Sequence, residues 1–216
     1  MKFKMVAFGL SGVLVNFNGA ENAWDFVRKA YQIPNLWKDY TEGKVSRRAA
    51  KVEEFKEWRQ KGIKLDKLMI DFRKNMKFVE GVKAVFSDLR AKRVATAILS
   101  DSPHIVVEDV ANQLGVKYFS SNKVLFDKAG FAYETIPSHP SGDDRVSKML
   151  ALKDFVNREN IRMSEVAVVG NGREDIDLFR FAGRGISFNA KDYEVRKASQ
   201  VIINSKTLED VLEYLK

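Results

Sequence analysis

The chain has 216 residues, 45% hydrophobic and 31% charged, with 4 Pro and 13 Gly, which suits one sizeable core with a modest insertion and excludes a disordered or fibrous chain. With no Cys there are no disulfides, thiolate zinc sites or cysteine nucleophiles, and 2 His leave no His-rich metal site. The net charge of +8 admits anionic partners, but the basic residues are interspersed with acids, as Lys51 to Lys61 is with Glu53, Glu54 and Glu57, so neither nucleic acid nor a membrane is an expected partner. High Lys, Arg and Glu without Cys matches the composition of thermophilic proteins.

Lys2 and Lys4 ahead of the apolar run Met5 to Val15 imitate a secretory signal. Gly9, Ser11 and Gly12 interrupt that run, and it is shorter than the roughly 20 residues of a membrane span, so a cytoplasmic protein is expected. Met5-Val6-Ala7-Phe8, a short continuous apolar run ending at a glycine loop, predicts a strand buried on both faces. Asn18 with Glu21 reads as a capping box opening a helix through Ala20, Ala23, Trp24, Val27, Ala30 and Tyr31. Ser46 caps a second helix through Ala49, Val52 and Phe55 that stops before Gly62, and a third runs through Leu65, Leu68, Phe72 and Met76. From about Phe17 to about Met76 the pattern is purely helical, and Trp24, Phe26, Trp37, Phe55 and Trp58 are its expected core.

From Gly81 onward strands and helices alternate. A helix (Val82, Val85, Phe86, Leu89) precedes the strand Val94 to Leu99, which ends at Ser100-Asp101-Ser102-Pro103. A helix through Val106, Val110 and Leu114 leads to a hairpin in which Val124 to Phe126 and Phe131 to Tyr133 flank Asp127-Lys128-Ala129-Gly130. A helix around Leu152 and Phe155, the strand Val166 to Val169, a helix through Ile176 and Phe179, the strands Gly185 to Phe188 and Val201 to Ile203, and a terminal helix from Leu208 complete the chain. The expected fold is α/β, a doubly wound, mostly parallel, Rossmann-like sheet with an inserted all-helical cap. Residues 1–16 and 77–216 form the α/β core and residues 17–76 the cap.

Ligand groups in such a sheet lie in loops beyond the carboxyl ends of the strands, here Gly9-Leu10-Ser11-Gly12, Ser100-Asp101-Ser102 and Gly170-Asn171-Gly172. In this order, with Lys148 twenty-three residues before Asn171, they resemble the motifs of the haloacid dehalogenase-like superfamily, most closely its phosphoserine phosphatase-like branch. The resemblance implies a nucleophilic aspartate where Gly9 stands, an acid/base aspartate where Ser11 stands, and magnesium held by carboxylates of which Asn171 replaces one and Asp175 remains. Gly9 and Ser11 can do neither job, so the expected protein is a phosphatase homologue impaired or inactive in hydrolysis, with a weakened magnesium site.

By the same resemblance, Leu10, Ser11, Ser100, Asp101 and Lys148 are expected to bind phosphate. Relative to the family pattern the site lacks three carboxylates and the divalent cation they held, which leaves it one unit more positive. The expected partner is a small phosphorylated molecule or free phosphate. Two alternatives stand beside this reading: a working magnesium-dependent phosphomonoesterase using neighbouring groups such as Asp101, Asp143, Asp144 or Asp177, and an interaction protein with a vestigial pocket. Taken singly, Ser100 is also a cap for the helix after Pro103, Lys148 an exposed helix lysine and Asp175 a helix amino-terminal residue.

Overall fold

The computed structural model describes residues 2–216 apart from Trp37, Lys38, Thr41 and residues 139–143, and apart from the side chains of Arg47 and Asp144. The expectations for Trp37 and Asp143, and for the Asp144 carboxylate, lie outside the described residues. The chain runs β1 (Met5–Phe8), β2 (Val15–Phe17), α1 (Ala23–Ala30), α2 (Arg47–Gln60), α3 (Leu65–Asn75), β3 (Met76–Phe78), α4 (Val82–Ala91), β4 (Ala95–Pro103) and α5 (His104–Leu114). It continues through β5 (Tyr118–Phe126), β6 (Ala132–Ile136), α6 (Asp144–Arg158), β7 (Val166–Gly170), α7 (Ile176–Phe181), β8 (Arg184–Phe188), α8 (Tyr193–Ala198) and β9 (Val201–Ile203).

A 7-stranded sheet in the order β6-β5-β4-β1-β7-β8-β9 forms the centre, parallel throughout except for the β5–β6 hairpin. All four residues of β1 are buried, and their side chains divide between two cores. Val6 and Phe8 join the larger one with α4, α5 and the inserted helices, while Met5 and Ala7 join the one beneath α6, α7 and α8. A strand covered on both faces has no place for a polar residue, which is why its sequence reads as a continuous apolar run. Successive strands are added outward from β1 in one direction through β4 to β6 and in the other through β7 to β9, so the reversal point lies at the carboxyl end of β1.

The structure corrects the sequence reading in several places. The first helix begins at Ala23, capped by the Asn22 side chain accepting from the Asp25 N–H at 2.9 Å, whereas Asn18 lies in a turn before Gly19. Asn22 is also an Asn three residues before a carboxylate, and periodicity does not rank the two. The stretch read as purely helical is bracketed by strands, since β2 and β3 pair antiparallel with Val15 opposite Phe78 and Phe17 opposite Met76. Three-residue strands are too short for their alternation to register against a helical background. The fourth strand does not stop at Leu99 but runs to Pro103 through an irregular register with β5, and the last helix is a 3₁₀ helix over Leu208–Leu215.

The inserted helices pack an aromatic interior in which Phe26 and Phe72 lie 5.5 Å apart and Phe55 and Trp58 5.0 Å apart between centroids. Trp24, Phe26, Phe55 and Trp58 are all buried, as helical spacing predicts for core residues. The helices are fastened to the rest by the Leu65 N–H donating to the Gly130 carbonyl at 2.9 Å and by ion pairs of Arg59 with Asp127 and of Arg73 with Asp109. The Trp24 indole N–H donates to the Asp101 carbonyl at 3.0 Å, which brings the insertion against the loop that carries Ser100. Among the described residues, no helix is long and apolar enough to cross a membrane.

Candidate functional site

The carboxyl ends of β1, β4, β7, β8 and β9 open into a cleft of about 950 Å³ lined by Gly9, Leu10, Ser11, Ser100, Asp101, Lys148, Asn171 and Asp175, among others. All eight site residues named from the sequence therefore face one space.

The loop after β1 is built by local hydrogen bonds. The Gly9 N–H donates to the Val169 carbonyl at 2.9 Å, and the Leu10 carbonyl accepts from Leu14 at 2.8 Å and Val15 at 3.1 Å. Gly12 turns the chain at φ +74, a conformation open to glycine, and a Cβ there would overlap the Asn171 side chain. Gly9 has an ordinary φ, and a Cβ there would touch Val13 Cγ2 at 3.4 Å, so its backbone does not require glycine. The Leu10 and Ser11 N–H groups donate to no other described residue, and the Ser11 Oγ is buried without a hydrogen-bond partner. Ser100 is buried, and its Oγ accepts from the Ser102 N–H at 3.1 Å, which leaves its hydroxyl hydrogen to donate. It does not cap the helix after Pro103, whose first turn receives no side-chain cap.

Lys148, on α6, is almost fully buried and is no exposed helix lysine. Its Nζ donates to Asp175 Oδ1 at 2.8 Å and to Glu174 Oε1 at 3.2 Å. Burial by itself pulls the pKa of this ammonium down, but the carboxylates of Asp175, Glu174 and Asp101 outweigh it and hold the group charged above its ordinary range. Lys148 in turn holds the Glu174 carboxyl below its usual range, against the burial that raises it. Asp175 Oδ2 accepts from the N–H groups of Asn171 at 3.0 Å and Gly172 at 3.1 Å, so both oxygens are taken. The buried Asp175 thus does more than sit at the start of a helix. It ties the last loop to α6.

Glu174 is the residue that the sequence reading missed. It lines the cleft and pairs with Lys148, and its position beside Asp175 in the last motif was the available signal. It also reverses the expected charge. Glu174 and Asp175 both pair with the single Lys148 ammonium, and Asp101 also acts on it, so among the described residues this wall is acidic. Lys148 is therefore no free point charge for a phosphate.

Asn171 sits where the resemblance implies a metal-holding carboxylate, and its side-chain amide Nδ2 donates to the Ser11 carbonyl at 3.1 Å. A hard divalent cation needs several open oxygen ligands. Here Gly9 has no side chain, the Ser11 carbonyl accepts from Asn171, and Asp175 is committed to Lys148 and two backbone N–H groups. The donor set does not fit magnesium as it stands. Among the described residues no group of three or more His, Asp or Glu side chains is arranged to hold a metal ion. Asp177, on α7, pairs with Arg180 at 3.5 Å and is not among the residues lining the cleft.

Comparison with known proteins agrees with this architecture. A family model described as haloacid dehalogenase-like hydrolase matches residues 3–183. A phosphoserine phosphatase of Lactococcus lactis is 29% identical over 145 residues, covering 67% of this chain and 65% of that protein. A phosphoserine phosphatase of Methanocaldococcus jannaschii is 25% identical over 223 residues, covering 100% of this chain and 99% of that one. The match spans only 34% of a Mycobacterium tuberculosis phosphoserine phosphatase. A substrate-bound phosphoserine phosphatase structure superposes over 100% of both chains with a TM-score of 0.78 at 20% identity. With strand order and family match in agreement, the chain belongs to the haloacid dehalogenase-like hydrolases and is similar to their phosphoserine phosphatases.

Proposed function

We propose that this protein binds a small phosphorylated molecule, or free phosphate, without magnesium and without hydrolysing it by the aspartyl-phosphate route of its family. The observation that carries the reading is the pairing of Asn171 with the Ser11 carbonyl beside a residue, Gly9, that has no nucleophile. An amide donor bridges the first and last site loops, a role that the resemblance gives to a cation. The anion would be received by the Leu10 and Ser11 N–H groups, the orphan Ser11 hydroxyl and the Ser100 hydroxyl. Those are neutral donors, and they act at the mouth of an acidic wall, so recognition rests on hydrogen-bond geometry more than on net charge.

In this reading residues 17–76 serve as a cap that closes the cleft, with Trp24 as its contact to the Ser100–Asp101 loop. The acid/base position is equally disabled, because the Ser11 hydroxyl does not titrate near neutral pH. The experiment is calorimetric titration with inorganic phosphate and with phosphoserine, each with and without magnesium, next to a turnover assay on a chromogenic phosphate ester. Binding that is indifferent to magnesium, without turnover, is expected. Sustained turnover that requires the metal and vanishes in Asp175→Ala would overturn the proposal in favour of a working phosphomonoesterase.

A further inference from the structure

The cleft is electrically polarised. At its inner end Lys148 is consumed by Asp175 and Glu174, and along its wall Arg173 is consumed by Asp192 at 2.6 Å. At its outer end Lys191 and Lys206, on the loops after β8 and β9, line the same space with no ion pair to any described residue. Both are exposed, but the loops that carry them are fixed to each other. The Asn189 side chain donates through Nδ2 to the Ser205 carbonyl at 2.7 Å and accepts from the Ser205 N–H at 2.9 Å, with Asn189 itself at φ +53. The Asn189 N–H donates to the Ile203 carbonyl at 2.8 Å, and the Thr207 N–H to Ser205 Oγ at 3.1 Å. Two ammonium groups are thus carried on cross-braced loops on one wall, opposite in sign to the inner end.

We infer that Lys191 and Lys206 form a second anion subsite, and that the ligand class is a short molecule with two anionic groups, a phosphate on the Leu10–Ser11 loop and a carboxylate or second phosphate at these lysines. This rests on the proposed phosphate reading and deepens it. A lone phosphate facing Asp101, Glu174 and Asp175 gains little from the field of the cleft. A second anionic group that reaches the outer lysines does gain, and it sets the ligand's orientation. A ligand with a cationic tail would meet like charge there instead.

The test is titration of the full chain at low ionic strength, where exposed charges are least screened. The probes are inorganic phosphate, pyrophosphate, phosphoglycolate and phosphoethanolamine. Pyrophosphate and phosphoglycolate should bind about 10-fold more tightly than phosphate, the sum expected of two exposed ion pairs, and phosphoethanolamine no more tightly than phosphate. The Lys191→Ala/Lys206→Ala variant should erase that advantage, so that pyrophosphate and phosphoglycolate bind it no more tightly than phosphate does. A variant with the same charge change elsewhere, Lys74→Ala/Lys153→Ala, should retain it. If phosphate binds but pyrophosphate and phosphoglycolate gain nothing, or if both double variants lose the advantage alike, the second subsite is wrong while the phosphate reading stands. If none of the four probes binds, the phosphate reading fails and this one with it.

Discussion

The side-chain amide of Asn171 donates to the backbone carbonyl of Ser11 at 3.1 Å, joining loops that are 160 positions apart in the chain. This bond ties the last site loop to the first through an amide donor. Replacing it by a carboxylate, as in Asn171→Asp, would set a charge against that carbonyl and remove a donor. The variant should lose about 1–3 kcal/mol of stability. Magnesium should restore part of its melting temperature and leave that of the unmodified protein unchanged. A metal-dependent rise in the unmodified protein would show that the donor set is open after all.

Lys148 offers a larger effect. Lys148→Met would leave the buried Asp175 and the half-buried Glu174 without their cation, and removing one partner of a buried pair costs about 3–5 kcal/mol. Lys148→Met/Asp175→Asn, which removes the more deeply buried of the two stranded carboxylates, should recover a substantial part of that loss. Denaturant unfolding of the two variants checks this, and equal destabilisation would mean that the loss in Lys148→Met does not come from breaking its pair with Asp175.

The two loop glycines should behave oppositely. Gly12→Ala places a side chain at φ +74 and against the Asn171 amide, with an expected cost of about 1–3 kcal/mol. Gly9→Asp starts from an ordinary backbone angle with room for a Cβ, so it should fold with a loss under about 1 kcal/mol. Its turnover of a chromogenic ester should stay at the background level, because the acid/base group and the metal ligands would still be missing. Turnover in Gly9→Asp alone would contradict the proposed route of inactivity.

His104 sets a pH dependence away from the site. Its Nδ1 accepts from the Val124 N–H at 3.1 Å, and burial, outweighing Glu108 and assisted by Lys123, holds its pKa below 6.5. A base whose folded pKa is depressed binds fewer protons folded than unfolded. Its stability contribution is therefore complete above pH 6.5 and declines as pH falls through the lower folded value. Denaturant unfolding at pH 7.5 and pH 5.5 should show a loss at the lower pH that is smaller in His104→Gln. An equal loss in both proteins would assign the dependence to carboxylates.

Much of the architecture was legible because burial writes itself into sequence periodicity. Met5 to Phe8 and Val166 to Val169 are apolar at every position because both faces of the sheet are covered. The Ser46 cap was legible for a similarly local reason, since its hydroxyl accepts from the Ala49 N–H at 3.2 Å within the same turn. The β2–β3 ribbon was not, because its pairing joins Phe17 to Met76 across the whole insertion and three residues carry no period. Glu174 was overlooked because its place beside Asp175 in the last motif does not reveal its partner, Lys148, which approaches from α6.

The sequence by itself determined the order of the strands in the central sheet along the chain, the family resemblance, and the absence of a carboxylate at Gly9 and Ser11, since these depend on residue identity and local periodicity alone. Only the tertiary structure decided the charge of the site and the fate of its donors. Whether Lys148 is free, whether the Ser11 carbonyl is open and whether Glu174 belongs to the wall depend on distances of about 3 Å between groups remote in the chain, and packing sets those distances.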